Sequence, residues 1–284
     1  KRPDSFDFKG SFLFTVILVT LLLMITKFHT WGFLSAYMFV LFTLFIFSFG
    51  FFIITEKKSR APVLNLAIFE NRLFSLPILS ATILFVCLFI KIFLMPFYLL
   101  TLREFSHTTA GLFMMLPFLF MFIISPVSGA LADRIGSRVL CTLGMLILSL
   151  SLYLTSRLTG ETSAVFISFC MSLTGIGTAM FTSPNSMIIM SSVNPRERGV
   201  AGAIVATARN IGMVIGIALS GTLFNFFFSY YSQGKTLDQF TQDLSGNFVN
   251  AFGNVLVTGS IIALTGAFLA FLRGNERRAM KKAM

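Results

Sequence analysis

Across 284 residues the chain is 56% hydrophobic and only 12% charged, with 36 Phe, a mean hydropathy of +0.86 and a formal net charge of +11. Soluble domains carry about 25% charged residues, so a soluble enzyme and a soluble nucleic-acid-binding module are both excluded. The basic surplus has to be read along the chain, as topology.

Eight apolar runs reach the length of about 20 residues that a hydrocarbon core requires. They cover 10–27, 32–55, 75–101, 108–131, 138–156, 163–191, 199–230 and 248–272, which makes an all-α integral membrane protein. The chain opens Lys1-Arg-Pro-Asp4, with neither a cleavable signal pattern nor an initiator methionine, so a longer parent is expected. The first two runs are rich in Leu and Phe, with no Gly or Pro between Phe12 and Thr30, and residues 1–60 read as a two-helix linker or insertion. A connector over 61–72 follows, in which Val63 to Phe69 could lie as a short amphipathic helix in the interface.

The six later runs form a functional bundle over 73–273 that carries Pro77, Pro96, Pro117, Pro126, Pro184 and most of the glycines. Kinked helices with small faces are where transporters place cavities and moving contacts. The bundle divides into three and three, without a residue-level repeat, and 274–284 reads as a basic tail. Trp31 and His29, and Tyr98, Tyr230 and Tyr231, fit outer-interface positions. The loop 231–247 between the last two runs is polar and shows no ligand pattern.

With loops assigned to alternating sides, sixteen Lys and Arg fall on one side, among them Arg72, Arg134, Arg138, Arg198 and Arg273. Four fall on the other, namely Lys27, Arg103, Arg157 and Lys235. Such asymmetry places the basic side and both ends of the chain in the cytoplasm, with a cell membrane as the location. Cys87, Cys141 and Cys170 all lie within runs, and an odd number of such thiols reads as packing rather than a disulfide framework.

Two cations remain inside spans, where charge is expensive and points to function. Lys91 stands past the middle of the third run. It reads either as a cavity cation meeting an anionic group or a partner carboxylate, or as a structural lysine held by backbone carbonyls beside Pro96. Arg209 shares a helix face with Gly212 and Gly216, whose G-x-x-x-G spacing permits close helix packing. A structural or gating role is therefore expected for Arg209, its counter-charge being either backbone carbonyls or a part of the protein beyond this chain. Asn210 lies beside it, and in the sixth run Pro184 frees a carbonyl that Asn185 could re-satisfy, or Asn185 could face a cavity. His29 and His107 have no catalytic neighbours, no metal-ligand spacing occurs, and no Walker sequence is present, so an enzyme or an ATP-driven pump is not expected.

Between the fourth and fifth runs stands Gly129-Ala-Leu-Ala-Asp133-Arg134-Ile-Gly136-Ser-Arg138. Gly129 lets the helix end pack closely, and Asp133 can accept from a neighbouring helix N-terminus. Gly136 permits the reversal, and Arg134 and Arg138 hold the turn at an anionic leaflet. This G-x-L-A-D-R-x-G-x-R turn resembles the cytoplasmic gating loop of the major facilitator superfamily. Gly175-Ile-Gly-Thr-Ala-Met, Asn194-Pro-Arg-Glu-Arg-Gly199, Ala201-Gly-Ala and Thr207-Ala-Arg-Asn-Ile-Gly212 extend the resemblance to the C-terminal part of its fourteen-helix drug:proton antiporters. Asp4-Ser-Phe-Asp7-Phe-Lys-Gly10 is similar to the segment after their sixth helix.

The resemblance implies two linker helices followed by the C-terminal six-helix half, with a companion N-terminal half of six helices elsewhere in the parent. It further implies proton-driven export of amphipathic compounds by alternating access, with no cofactor beyond the proton gradient. Some such relatives dock a periplasmic adaptor. By position, Lys91, Pro117, Asn185, Arg209 and Asn210 would lie near the substrate path, and Gly129, Asp133, Arg134, Gly136 and Arg138 would form the cytoplasmic gate. The antiporter signature of the family belongs to the absent half, and no acidic residue here lies at membrane depth to carry the coupling proton. A cavity lysine also suits a neutral or anionic substrate better than a cation. A facilitator for an anionic metabolite using Lys91 and Arg209, and a membrane scaffold without transport, are the other readings.

Overall fold

The computed structural model describes residues 8–31, 35–58, 69–235 and 241–273. The expected interfacial helix after Val63, residues 4–7 of the opening motif, the tail 274–284 and the side chains of His29 and Trp31 lie outside the described residues. Helices α1 (Phe8–Trp31) and α2 (Ala36–Lys58) come first. They are followed by α3 (Arg72–Phe97), α4 (His107–Ile135), α5 (Ser137–Thr155), α6 (Ala164–Ser191), α7 (Arg198–Tyr231) and α8 (Ser245–Leu272). Among the described residues, seven helices, α2 to α8, are long and apolar enough to cross a membrane. The eighth expected span is α1, which is helical over 24 residues with its apolar stretch at Phe12–Leu21.

Helix starts follow capping chemistry. The side chains of Asn71, Ser106 and Ser163 accept from the backbone N–H of Leu73, Thr109 and Phe166, satisfying donors that the first helical turn leaves open. Asn194 and Glu197 form a capping box ahead of α7. The turn between α4 and α5 is a single residue, Gly136, at φ 93° and ψ 145°, a conformation open to glycine and strained for other residues.

The six later helices form two layers. In front, α4 packs on α6, α6 on α3 and α3 on α7; behind, α5 and α8 pack on each other, α5 against α6 and α8 against α3. Exchanging α3 with α6, α4 with α7 and α5 with α8 reproduces this set of pairs, and the exchanged helices run in opposite directions. The three-plus-three division is thus visible in packing although the residues do not repeat.

Backbone-to-backbone approach at small residues sets the tightest contacts. A Cβ on Gly175 would lie 2.2 Å from the Pro117 carbonyl oxygen, on Gly212 2.5 Å from that of Thr82, and on Gly216 2.5 Å from that of Val86. Gly144 and Gly177 make the same approach reciprocally between α5 and α6, at 2.7 and 2.8 Å. In the back layer Ser149 Oγ and Ser260 Oγ lie 2.9 Å apart, and each is within reach of the other's carbonyl.

Helices α1 and α2 pair with each other. They touch the bundle through a cluster in which Ile17 and Phe52 join Phe74, Ile189, Val193, Ala201 and Ile204. Because successive helices alternate in direction, Arg72, Arg134, Arg138, Arg198 and Arg273 gather at one end of the bundle and Arg103, Arg157 and Lys235 at the other.

Candidate transport site

Lys91 points from α3 into the back of the bundle and is 1% exposed. Its Nζ donates to Ser151 Oγ on α5 at 2.9 Å, and to the Cys170 carbonyl at 2.9 Å and Thr174 Oγ1 at 2.7 Å on α6. Every ammonium proton therefore has an acceptor inside this chain, as a buried charge requires. The partners are two hydroxyls and one carbonyl from other helices, not the carbonyls beside Pro96. Ser151 and Thr174 escaped the sequence reading because an isolated hydroxyl in an apolar run usually bonds its own helix, as Ser80 does to the Leu76 carbonyl.

The opposite face of α3 is apolar. Phe89, Ile92, Phe93 and Pro96 lie roughly 100–160° around the helix from Lys91. With Phe97 and Ile217 of α7 they line a pocket of about 330 Å³ in the α3–α7 seam of the front layer. Beyond Pro96 the helix widens into a π-helical segment, Tyr98–Leu102, a distortion frequent at functional sites. The segment is fixed at that end of the bundle, where Tyr98 Oη donates to the Thr159 carbonyl at 2.8 Å and Arg103 donates to the Gly160 carbonyl. The i, i+4, i+8 spacing of Phe89, Phe93 and Phe97 was the available signal for this pocket, but it is hidden among 36 phenylalanines.

Two expectations on α7 divide. Gly212 and Gly216 are buried against α3, whereas Arg209 is exposed and has no hydrogen-bond partner among the described residues; Asn210 is half-buried. The shared face is lost because the close crossing occurs at the glycines, and Arg209 lies about one turn before it. Pro117 is buried and turns its carbonyl to Gly175, which makes it a packing contact between α4 and α6.

At the basic end, Asn185 is 2% exposed and joins three helices. Its Nδ2 donates to the Pro77 carbonyl of α3 at 3.1 Å, and its Oδ1 accepts from Arg273 Nη1 at 3.1 Å. Arg273 is itself 2% exposed. Counting it with the loop charges missed this burial, because its partner is remote in sequence. Gly129 faces Ser183, where a Cβ would come within 3.0 Å of Oγ. Asp133 and Arg134 are exposed in the last turn of α4, and no donor among the described residues reaches Asp133. Arg138 stacks on Phe271 of α8, 4.1 Å from the ring centre. The turn thus presents Asp133 and Arg134 outward and ties Arg138 to the back layer.

These features agree with comparisons to known proteins. Over 280 residues the chain is 27% identical to a riboflavin transporter of Clostridioides difficile, covering 98% of this chain and 58% of that protein. It is 28% identical over 226 residues to a multidrug resistance protein of Mycobacterium tuberculosis, and 27% identical over 228 residues to a tetracenomycin C resistance and export protein of Streptomyces glaucescens. Each of these two alignments covers 78% of this chain and 41% of the relative. The chain thus spans about half the length of the curated relatives it matches. A solved bacterial homologue of the human lysosomal transporter Spinster, inward-facing and unoccupied, shares the fold at a TM-score of 0.56 and 14% identity, over 95% of this chain and 68% of that one. A glycine-turned basic loop, inverted triplets of apolar helices and a match of residues 10–217 and 78–282 to the model of the Major Facilitator Superfamily converge, and the chain belongs to that family of multi-pass membrane transporters.

Proposed function

We propose that this chain is the C-terminal portion of a proton-driven secondary transporter that exports amphipathic compounds with aromatic character by alternating access. The pocket in the front-layer seam carries this reading, because an apolar wall of Phe89, Phe93 and Phe97 suits a planar aromatic group. The names of the relatives support the same substrate class, since multidrug resistance proteins, a tetracenomycin C exporter and a riboflavin transporter all match. In this reading an N-terminal six-helix half closes over α4, α6, α3 and α7, and the basic end faces the cytoplasm. Asp133 and Arg134 then meet that half as a gate that opens and closes with the cycle. A carrier for anionic metabolites that uses Lys91 as a ligand finds little support, since all three Lys91 donors are engaged within the bundle.

The test is ethidium efflux from energised cells expressing the full-length parent protein, with and without a protonophore. Efflux is expected to collapse with the protonophore, and Asp133→Asn is expected to lower its initial rate about fivefold, the scale of a single gating contact. Absence of efflux from well-expressed wild type would sink the exporter and favour the anion carrier, with the scaffold next.

A further inference from the structure

The three acceptors around Lys91 are linked to one another as well as to the amine. Ser151 Oγ lies 2.8 Å from Thr174 Oγ1 and 2.8 Å from the Cys170 carbonyl oxygen, which Thr174 Oγ1 also reaches at 3.0 Å. As an ammonium, Nζ donates three protons, and the hydroxyls pass theirs to the carbonyl or to each other. As an amine, Nζ donates two hydrogen bonds and accepts one on its lone pair from the hydroxyl of Ser151 or Thr174. Only hydroxyl rotors turn between the two arrangements, so a proton can leave without stranding a buried polar group. A lysine paired with a buried carboxylate could not do this, because deprotonation would leave an uncompensated anion.

The other groups facing this position are few. Helix α3 adds the Cys87 thiol, which donates to the Gly259 carbonyl, and the Tyr98 phenol; α6 adds the Cys170 thiol. Helix α8 contains no charged residue, and Arg209 on α7 is exposed. Among the described residues every carboxylate stands at a helix end or in a turn, as Glu70, Glu104, Asp133, Glu161, Glu197 and Asp243 do.

We propose that Lys91 takes up and releases the coupling proton in this half of the protein, a role that rests on the proton-driven exporter reading above. In the step, one N–H bond of the ammonium breaks, its electron pair stays on Nζ, and the proton passes to water when the α3–α5–α6 contact opens. The amine regains a proton from water on the other side of the membrane. Substrate and proton meet through α3, because the segment from Phe89 to Pro96 carries the amine on its inner face and the aromatic seam on its outer face.

The experiment uses the full-length protein in proteoliposomes with ethidium as the probe, comparing accumulation driven by a pH gradient with exchange at equal pH. Lys91→Gln and Lys91→Arg are expected to lose gradient-driven accumulation at least about tenfold while keeping exchange within about twofold of wild type. A folding defect would depress both modes together. For that case Thr174→Val, which keeps the amine and removes one hydroxyl, is expected to move the pH of half-maximal accumulation by about half a unit or more. Wild-type accumulation by Lys91→Gln overturns the proposal, as does an unmoved pH profile for Thr174→Val when the Lys91 variants do not fold. Wild type that ignores the gradient defeats the exporter reading itself, and this role with it.

Discussion

At Gly175 a hydrogen atom is all the space permits. An added methyl would press on the carbonyl of Pro117, which is backbone and cannot swing aside. Overpacking of this kind costs about 1–3 kcal/mol or more. Gly175→Ala is expected to lower the melting temperature of the full-length protein in detergent by roughly 5 °C, whereas Gly111→Ala, with nothing within 4 Å, should leave it unchanged. Equal melting of the two variants would show that α4 and α6 do not pack as described. The sequence marks Gly175 as small but does not say against what. Lys91 gives the same lesson: its depth along the axis is legible, while the helices it faces are not.

Among the helices, α3 holds both features on which the proposals rest. Its inner face holds Lys91, its outer face holds the seam pocket, and Pro96 with the π-helical segment ends the regular helix between them. Truncating one aromatic wall should therefore weaken a planar ligand without disturbing the inner face. Phe93→Ala is expected to weaken ethidium binding to the purified full-length protein about fivefold to tenfold, or about 1–1.4 kcal/mol. Phe226→Ala serves as the control, since that ring is exposed and lies outside the pocket. Titration by fluorescence anisotropy reads both, and equal affinities would remove the pocket from the substrate path. The prolines of α3 and the depth of Lys91 along it were readable in advance. Arg209 is exposed instead of packing with Gly212 and Gly216, because a helical wheel assumes contact along the whole face, whereas two helices that cross touch over only a few turns.

For the molecule as a whole, the charge asymmetry becomes a statement about membrane orientation. In a full-length protein whose native cysteines, Cys87, Cys141 and Cys170 included, have been replaced, Glu161→Cys is expected to react with a membrane-impermeant maleimide added to intact cells. Gly199→Cys should react only after permeabilisation. Labelling of Gly199→Cys from outside would invert the proposed topology. What the amino-acid sequence determined by itself is the number and order of apolar helices, the basic end, the glycine turn at Gly136 and the resemblance to one family. Those features are local or additive, since hydropathy, loop charge and a positive φ need no knowledge of neighbours. The tertiary structure alone decided that α5 and α8 form the back layer, that Ser151 and Thr174 hold Lys91, that Asn185 joins Pro77 to Arg273, and that three phenylalanines line a pocket while most others do not. Each of these depends on which faces meet across tens of residues, and in a chain where nearly every face is apolar, hydrophobic periodicity carries almost no information about that choice.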